Sequence, residues 1–128
     1  MEKISVLLAE NTHFESGITQ RILGNKFDIE VVRSSGEAFR AFRYKVTEKT
    51  PLRVIITNLF LESGPSDGVF LIGAIRARDP KIPIVVWTAQ PPNSSYIKDA
   101  LSAGANAVVH RDAEGKSLRE KVLEIIKI

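Results

Sequence analysis

RVIITNLFL, residues 53–61, decides the fold of this chain. Its first half holds three β-branched apolar residues in a row, Val54, Ile55 and Ile56, a run typical of a strand buried on both faces at the centre of a parallel sheet. Two polar residues, Thr57 and Asn58, follow directly. Ligands of open α/β sheets bind just beyond the carboxyl ends of the strands, which makes Asn58 the first candidate site residue. The alternative, that Asn58 only satisfies backbone groups where strand becomes loop, stays open at this point.

The composition indicates one soluble domain over residues 1–128. A chain of 128 residues can bury about two-thirds of its unfolded surface, and its 44% apolar and 26% charged residues are close to the average for soluble proteins. No apolar run approaches the roughly 20 residues of a membrane span, and the amino terminus lacks an export signal. The absence of cysteine excludes disulfides and thiolate sites. We therefore expect a cytoplasmic protein with no membrane partner.

The positive charge is small and spread along the chain, with a net value of +3. Its densest part surrounds one predicted helix and consists of Arg33, Arg40, Arg43, Lys45 and Lys49. Phe39, Phe42 and Tyr44 lie among these cations, which favours a solvated helix face with its aromatic side chains turned mostly to the core. A small basic nucleic-acid-binding domain is the minor alternative.

Strand patterns alternate with helix patterns along the whole chain. The predicted strands are Ile4–Ala9, Phe27–Val32, Leu52–Thr57, Ile82–Trp87 and Ala105–Val109. The helices are predicted to begin at Asn11 or Thr12, at Ser34 or Ser35, after Asp67-Gly68, at Asn93 or Ser94, and at Lys116. Their predicted inner faces are Phe14, Ile18 and Ile22; Ala38, Phe39, Phe42 and Val46; Leu71, Ile72 and Ile75; Ile97, Ala100 and Leu101; and, in the last helix Lys116–Ile128, Leu118, Val122 and Ile125. Such alternation predicts an α/β protein with a doubly wound parallel sheet.

One amphipathic segment indicates the order of the strands. Phe27–Val32 alternates apolar with acidic residues, as a half-exposed edge strand does. An edge position for the second strand favours the flavodoxin-like order 2-1-3-4-5, with the third strand at the centre. The carboxyl ends of strands 1, 3, 4 and 5 then meet at one rim, which carries Glu10, Asn11, Asn58, Thr88, His110 and Arg111.

At these residues the chain resembles the receiver domain of two-component response regulators, a (βα)5 fold, over all 128 residues. The motifs that carry the resemblance are VLLAEN, VIITNL, DG before the third helix, IPIVVWTA and AGANAVVHRDA. In that family an acidic pair and an acceptor aspartate hold Mg²⁺, the aspartate takes a phosphoryl group, and a Ser/Thr and a Lys bind that group. The resemblance places these roles, in this order, on Glu10 and Asn11, Asn58, Thr88 and Arg111.

Three of these five positions depart from the family pattern, and the departures are chemical. A neutral amide at Asn58 cannot supply the anionic oxygen that attacks phosphorus. With Asn11 also neutral, Glu10 is the one carboxylate left, so metal binding should be weak at best and no cofactor is expected. Arg111 adds a planar fork that a lysine lacks, and we expect a partly exposed ion pair between Arg111 and Glu10.

Other departures favour one fixed conformation over two states exchanged by phosphate. Val108 stands where the family usually has an aromatic switch residue, the loop from Asn58 to Asp67 is long and polar, and Pro91-Pro92 stiffens the entry to the fourth helix. The histidines, His13 and His110, are interpreted as structural or exposed rather than catalytic. No triad order, Gly-rich phosphate loop or His-Glu metal spacing occurs, so an enzyme is not expected.

The leading hypothesis is a pseudo-receiver, a receiver-like signalling module that acts through protein–protein interaction without aspartyl phosphorylation. The resemblance implies a histidine kinase, a phosphorelay protein or an effector as partner, with any output domain outside this chain; homodimerisation stays open. Phosphorylation at a non-standard residue such as Asp67 is the first alternative. The partner surface is predicted on the fourth helix, fifth strand and fifth helix, with the residues Tyr96, Lys98, Asp99, Arg119 and Lys121.

Overall fold

The structure, a computed structural model, describes residues 3–45, 51–111 and 116–126 and confirms the predicted fold. Five parallel strands form one sheet in the order β2-β1-β3-β4-β5. The elements in chain order are β1 (Ile4–Ala9), α1 (His13–Leu23), β2 (Phe27–Val32), α2 (Ser35–Lys45), β3 (Val54–Thr57), α3 (Asp67–Arg78), β4 (Ile84–Thr88), α4 (Ser95–Ala103), β5 (Ala107–His110) and α5 (Lys116–Ile126). Within the described ranges no helix is long and apolar enough to cross a membrane.

β3 lies at the centre of the sheet with every residue buried, as its continuous apolar run predicts. Its last residue, Thr57, is in register with Ala9 at the end of β1. The backbone N–H of Asn58 donates to the Ala9 carbonyl at 3.0 Å, and that of Arg111 donates to the Thr88 carbonyl at 2.8 Å. These bonds continue the pairing past the strands, so the residues of the rim are held by the sheet itself.

The helices cover both faces of the sheet. On one face α2, α3 and α4 pack against side chains such as Leu7, Ile55 and Val86. On the other face α1 and α5 pack against side chains such as Val6, Ile56 and Trp87. β2 is an edge strand, and its buried ends with exposed Asp28 and Glu30 confirm the predicted alternation.

The predicted inner face of α1 is wrong in detail. Ile18 and Ile22 are only half-buried, whereas Ser16, Thr19 and Leu23 are buried. The hydroxyls of Ser16 and Thr19 donate to helix carbonyls at 3.0 and 2.9 Å, and this pairing removes the main cost of burying them. The side chain of Phe14, the third member of the predicted stripe, lies outside the described residues.

Two further inner faces need correction. Leu101 of α4 is 48% exposed, because Ile97 and Ala100 already fill the side that meets the sheet. In α5 the buried residues are Leu118, Val122 and Ile126, and Ile125 is half-buried. The predicted faces of α2 and α3 agree with the structure, with Phe39 partly buried and Val46 outside the described residues.

The caps settle alternatives that the sequence leaves open. The side chains of Thr12, Ser34 and Ser94 accept hydrogen bonds from backbone N–H groups at the starts of α1, α2 and α4. Gly104 ends α4 with a positive φ of 121°, as its glycine predicts. β4 begins at Ile84, two residues later than predicted, where the Asn106 side chain accepts from the Ile84 N–H at 2.7 Å.

Arg76 ties the carboxyl end of α3 to the loop between α4 and β5. Its guanidinium donates to the carbonyls of Gly104, Asp79 and Ile82 and to the side chain of Asn106, at 2.8 to 3.0 Å. Burial lowers the pKa of Arg76, against the opposing effect of the Asp79 carboxylate. An arginine keeps its charge even so, and the residue therefore acts as a fixed cross-link.

Candidate functional site

A cleft of about 190 Å³ opens at the carboxyl ends of β1, β3 and β4. It contains all five residues of the predicted pocket, Glu10, Asn11, Asn58, Thr88 and Arg111, together with Glu15, Phe60, Ala89 and Gln90. Parallel strands that end in register place these side chains next to one another, as the strand order predicts. His110 is not part of the lining; its exposed ring lies outside, with Nδ1 3.1 Å from the Gln90 carbonyl oxygen.

Glu10 is the buried centre of the cleft, with a side chain only 1% exposed. Its Oε1 accepts hydrogen bonds from the side-chain amide of Asn58 and from the backbone N–H of Asn11, each at 3.1 Å. Its Oε2 accepts from the guanidinium of Arg111. Both oxygens of this buried carboxylate therefore have partners, which is the condition under which a protein tolerates such a charge.

Arg111 joins two carboxylates. One terminal nitrogen pairs with Glu10, and the other donates to Oε2 of Glu15 at 2.6 Å. The predicted pair between Arg111 and Glu10 is confirmed. It is only slightly exposed, with the side chain of Glu10 1% and that of Arg111 15% exposed. Glu15 was not predicted as a partner; the available signal was an acidic residue in the first turn of the helix that follows the rim.

The guanidinium of Arg111 also lies over an aromatic ring. Its central carbon is 5.1 Å from the centroid of the Trp87 ring, within the range of a cation–π contact. Trp87 is buried, and its indole N–H lacks a hydrogen-bond partner in the described part of the chain. Stacking and two ion pairs together fix the orientation of Arg111.

The amide of Asn58 has a defined orientation. Its Oδ1 accepts from the N–H of the next residue, Leu59, at 2.8 Å, and its Nδ2 donates to Glu10. One end of the amide therefore satisfies the backbone where strand becomes loop, and the other end lines the cleft and bonds to Glu10. An aspartate here would lack the hydrogens that face Glu10.

The remaining lining groups belong to the loops after β3 and β4. The hydroxyl of Thr88 is buried and accepts from the N–H of Gln90 at 3.0 Å. Phe60 packs edge-on against Tyr96 at the start of α4, with ring centroids 5.4 Å apart. Phe60 and Gln90 were not predicted as lining residues, because loop side chains carry no periodic signal.

The donor set does not fit Mg²⁺, the cation that the family resemblance implies. Mg²⁺ requires charged oxygen ligands in octahedral geometry, whereas Glu10 and Glu15 are both paired with Arg111 and Asn58 turns hydrogens toward Glu10. Residues 3–45, 51–111 and 116–126 contain no group of three His, Cys, Asp or Glu side chains that could hold a metal. Arg111 pairs with both carboxylates and offsets one of their two negative charges.

Asp67, the alternative phosphorylation site, is outside this cleft and has its own partners. Its Oδ1 accepts from the Ser35 hydroxyl at 2.5 Å, and its Oδ2 lies 3.4 Å from the backbone nitrogens of Ser35 and Ser63. The carboxylate thus connects the amino termini of α2 and α3. Both of its oxygens are engaged in these contacts, which does not favour Asp67 as a nucleophile.

The residues of the predicted partner surface lie on two helices that cover opposite faces of the sheet. Lys98 and Asp99 of α4 and Arg119 of α5 are exposed. Tyr96 is half-buried against Phe60, and Lys121 pairs with Glu124 at 3.3 Å. A partner that contacts all of them has to span the β5 edge, where Val108 is half-buried.

Comparison with known proteins supplies the family. The family model described as response regulator receiver domain matches residues 6–123. A comparison with curated proteins finds no match.

Solved structures with this fold come from several bacteria. A signal receiver domain of an HD domain-containing protein from Pseudomonas fluorescens has a TM-score of 0.84 at 15% identity, covering 99% of this chain and 89% of that one. A response regulator from Thermotoga maritima has a TM-score of 0.78 at 21% identity, covering 98% and 99%. The phosphorylated cyanobacterial phytochrome response regulator RcpA has a TM-score of 0.77 at 21% identity, covering 96% and 91%. At these identities the likeness shows a common fold.

Proposed function

Because the chain belongs to the family of response regulator receiver domains, we propose that it is a single receiver-like domain that signals by protein–protein interaction without aspartyl phosphorylation. It is a cytoplasmic module in this proposal, and its partner is a histidine kinase, a phosphorelay protein or an effector. It has no catalytic role of its own.

The network of Asn58, Glu10 and Arg111 is the observation that carries this proposal. An amide occupies the position of the acceptor aspartate and donates a hydrogen bond to the buried Glu10. A guanidinium bridges Glu10 and Glu15 where the family pattern calls for a lysine. Both carboxylates of the cleft are paired with Arg111, which offsets one of their two charges, so neither is left unpaired to hold a cation, and a phosphoryl group would add to the net negative charge.

A cleft whose charged side chains are already paired with one another favours one conformation. Phosphorylation shifts a receiver between two states only if the phosphoryl group interacts differently with each. Here the Thr88 hydroxyl already accepts from the Gln90 N–H, and Val108 offers no ring that could move behind it. The module is therefore proposed to present a constant surface, with regulation through the amount or location of either partner.

The function is tested by measuring partner affinity with and without phosphodonor. A partner is captured from the source cell and purified, and its binding to the protein is titrated before and after incubation with acetyl phosphate and Mg²⁺. We expect the same dissociation constant in both conditions. A change that requires both the phosphodonor and Mg²⁺ would overturn the proposal.

We expect the partner to contact α4, β5 and α5. The double charge reversal Lys98→Glu/Arg119→Glu should weaken partner binding about tenfold or more, since like-charge contacts at an interface cost several kcal/mol. Arg21→Glu on α1 is the control, because Arg21 is also exposed. Loss of binding in the α1 variant with full binding in the double reversal would place the interface elsewhere.

Restoring phosphorylation in the cleft should need two substitutions. Asn58→Asp alone should restore little labelling by a phosphodonor, because it places a carboxylate beside Glu10 and within reach of Arg111 without completing a cation site. Asn58→Asp combined with Asn11→Asp should label several-fold more. Intact mass measures labelling, and Trp87 fluorescence reports Mg²⁺ binding because its ring lies under Arg111. Equal, strong labelling of both variants would show that the cation site was never impaired.

A further inference from the structure

We propose that the solvent face of α2, with the end of α3, docks an acidic segment of a partner protein. This surface, called here the arginine face, consists of Arg40, Arg43 and Tyr44 of α2 and Arg78 of α3. The inference rests on the proposed function, because it assumes that the domain acts by binding other proteins. It adds a second contact surface, distinct from that of α4, β5 and α5.

The arginine face is continuous because of helix geometry and one stacking contact. Residues three and four apart are neighbours on a helix surface, so Arg40 lies beside both Arg43 and Tyr44. Phe39 is four residues before Arg43, and the guanidinium carbon of Arg78 lies 5.6 Å from the centroid of the Phe39 ring. The three guanidiniums therefore share one patch, on which Tyr44 is 68% exposed.

The two α2 arginines of this face have no acidic partner among the residues that the structure describes. Two lysines of the described residues have acidic partners, Lys45 with Glu30 at 3.6 Å and Lys121 with Glu124 at 3.3 Å. Arg40 and Arg43 are exposed and form no ion pair with the residues that the structure describes. Like charges at this spacing destabilise a helix slightly, and an acidic ligand would remove that cost.

The one acidic residue of α2 takes part in the cap at the amino terminus of the helix. Glu37 lies in the first turn, where its Oε1 accepts from the Ser34 hydroxyl at 3.3 Å while Ser34 caps the helix. It thus belongs to the amino-terminal cap. It lies three residues before Arg40 without forming an ion pair with it, and a turn or more away from Arg43 and Tyr44. The face that remains for a ligand is cationic and aromatic.

This composition favours a protein segment over a nucleic acid. Arginine and tyrosine are the residues enriched in the energetic centres of protein interfaces, and a guanidinium grips a carboxylate through two parallel bonds. Proteins that bind nucleic acid by charge alone neutralise many phosphates, on the order of 6 to 10, which the three guanidiniums of this face, two on α2 and one on α3, cannot do. We therefore commit to carboxylates of a short acidic segment as the ligand.

The test uses a fluorescein-labelled hexapeptide of Asp and Glu with one central Phe as its probe. Fluorescence anisotropy is measured at low salt with the wild-type protein, with Arg40→Glu/Arg43→Glu, and with the neutral variant Arg40→Gln/Arg43→Gln. Arg21→Glu/Lys26→Glu is the matched control, because both residues are exposed and the change in net charge equals that of the first double variant. Thermal unfolding followed by circular dichroism checks that each variant is folded.

We expect the Arg40→Glu/Arg43→Glu variant to bind the peptide at least tenfold more weakly than wild type, the glutamine variant to bind it more weakly as well, and the matched control to bind within about twofold. Equal loss in the control would show attraction to net charge alone and would overturn the proposal. Tighter binding of a single-stranded oligonucleotide of equal charge, lost in the same variant, would overturn it in favour of a nucleic-acid surface. The protein is unphosphorylated throughout, so a failure here is distinct from a failure of the proposed function.

Discussion

Arg111→Ala should lower the free energy of unfolding by about 3 to 5 kcal/mol, the usual cost of removing one partner of a buried ion pair. The reason is the burial of Glu10, which is 1% exposed and would keep a charge with only the Asn58 and Asn11 donors to satisfy it. Urea unfolding followed by circular dichroism measures the loss, with a slope that should stay unchanged.

Two matched variants separate the buried pair from the outer one. Glu15→Gln should cost about 1 kcal/mol or less, because the side chain of Glu15 is 39% exposed and its pair with Arg111 is screened by water. Arg111→Lys should fall between the two, since one ammonium cannot replace a fork that joins two carboxylates. If Arg111→Ala cost no more than Glu15→Gln, the bridge between Glu10 and Arg111 would not be the element that organises the cleft.

Gly68→Ala should destabilise the protein by about 3 kcal/mol, at the upper end of what overpacking costs. A Cβ added at Gly68 would stand 2.3 Å from the carbonyl oxygen of Asn58 and 2.7 Å from Cα of Leu59. Both obstacles are backbone atoms, so no change of rotamer relieves the contact. The substitution should push apart the start of α3 and the loop after β3, and so disturb the orientation of Asn58.

Gly73→Ala, in the same helix, is the control for Gly68→Ala. A Cβ at Gly73 meets nothing within 4 Å, and alanine within a helix is favoured over glycine by about 0.5 to 1 kcal/mol. The melting temperature should therefore rise for Gly73→Ala and fall for Gly68→Ala. A neutral Gly68→Ala would mean that α3 is not packed against the Asn58 loop as closely as the structure has it.

The fold could be predicted because its signals are local. The continuous apolar run Val54 to Ile56 indicates a strand buried on both faces, and the alternation in Phe27–Val32 indicates an edge strand. Together the two patterns favour the observed strand order. The helix faces were less predictable. Hydroxyls that bond to their own helix, as in Ser16 and Thr19, can be buried as readily as apolar side chains, and periodicity of apolar residues does not detect them.

The site residues that could be predicted from the sequence are those that directly follow a strand. Glu10, Asn58 and Arg111 each follow a strand, so parallel pairing brings them to one rim without further information. The partners from helices and loops were not predictable, because the rotation of α1 that turns Glu15 to the rim depends on packing across the whole sheet. The burial of Glu10 was missed for the same reason.

The intact mass of the wild-type protein shows whether this domain accepts a phosphoryl group. The protein is incubated with acetyl phosphate and Mg²⁺, beside a receiver domain that retains the acceptor aspartate as a positive control. We expect no change in mass for this chain while the control gains one phosphoryl group. A stable gain of one phosphoryl group by this chain, located by peptide fragmentation at Asp67 or any other residue, would contradict it.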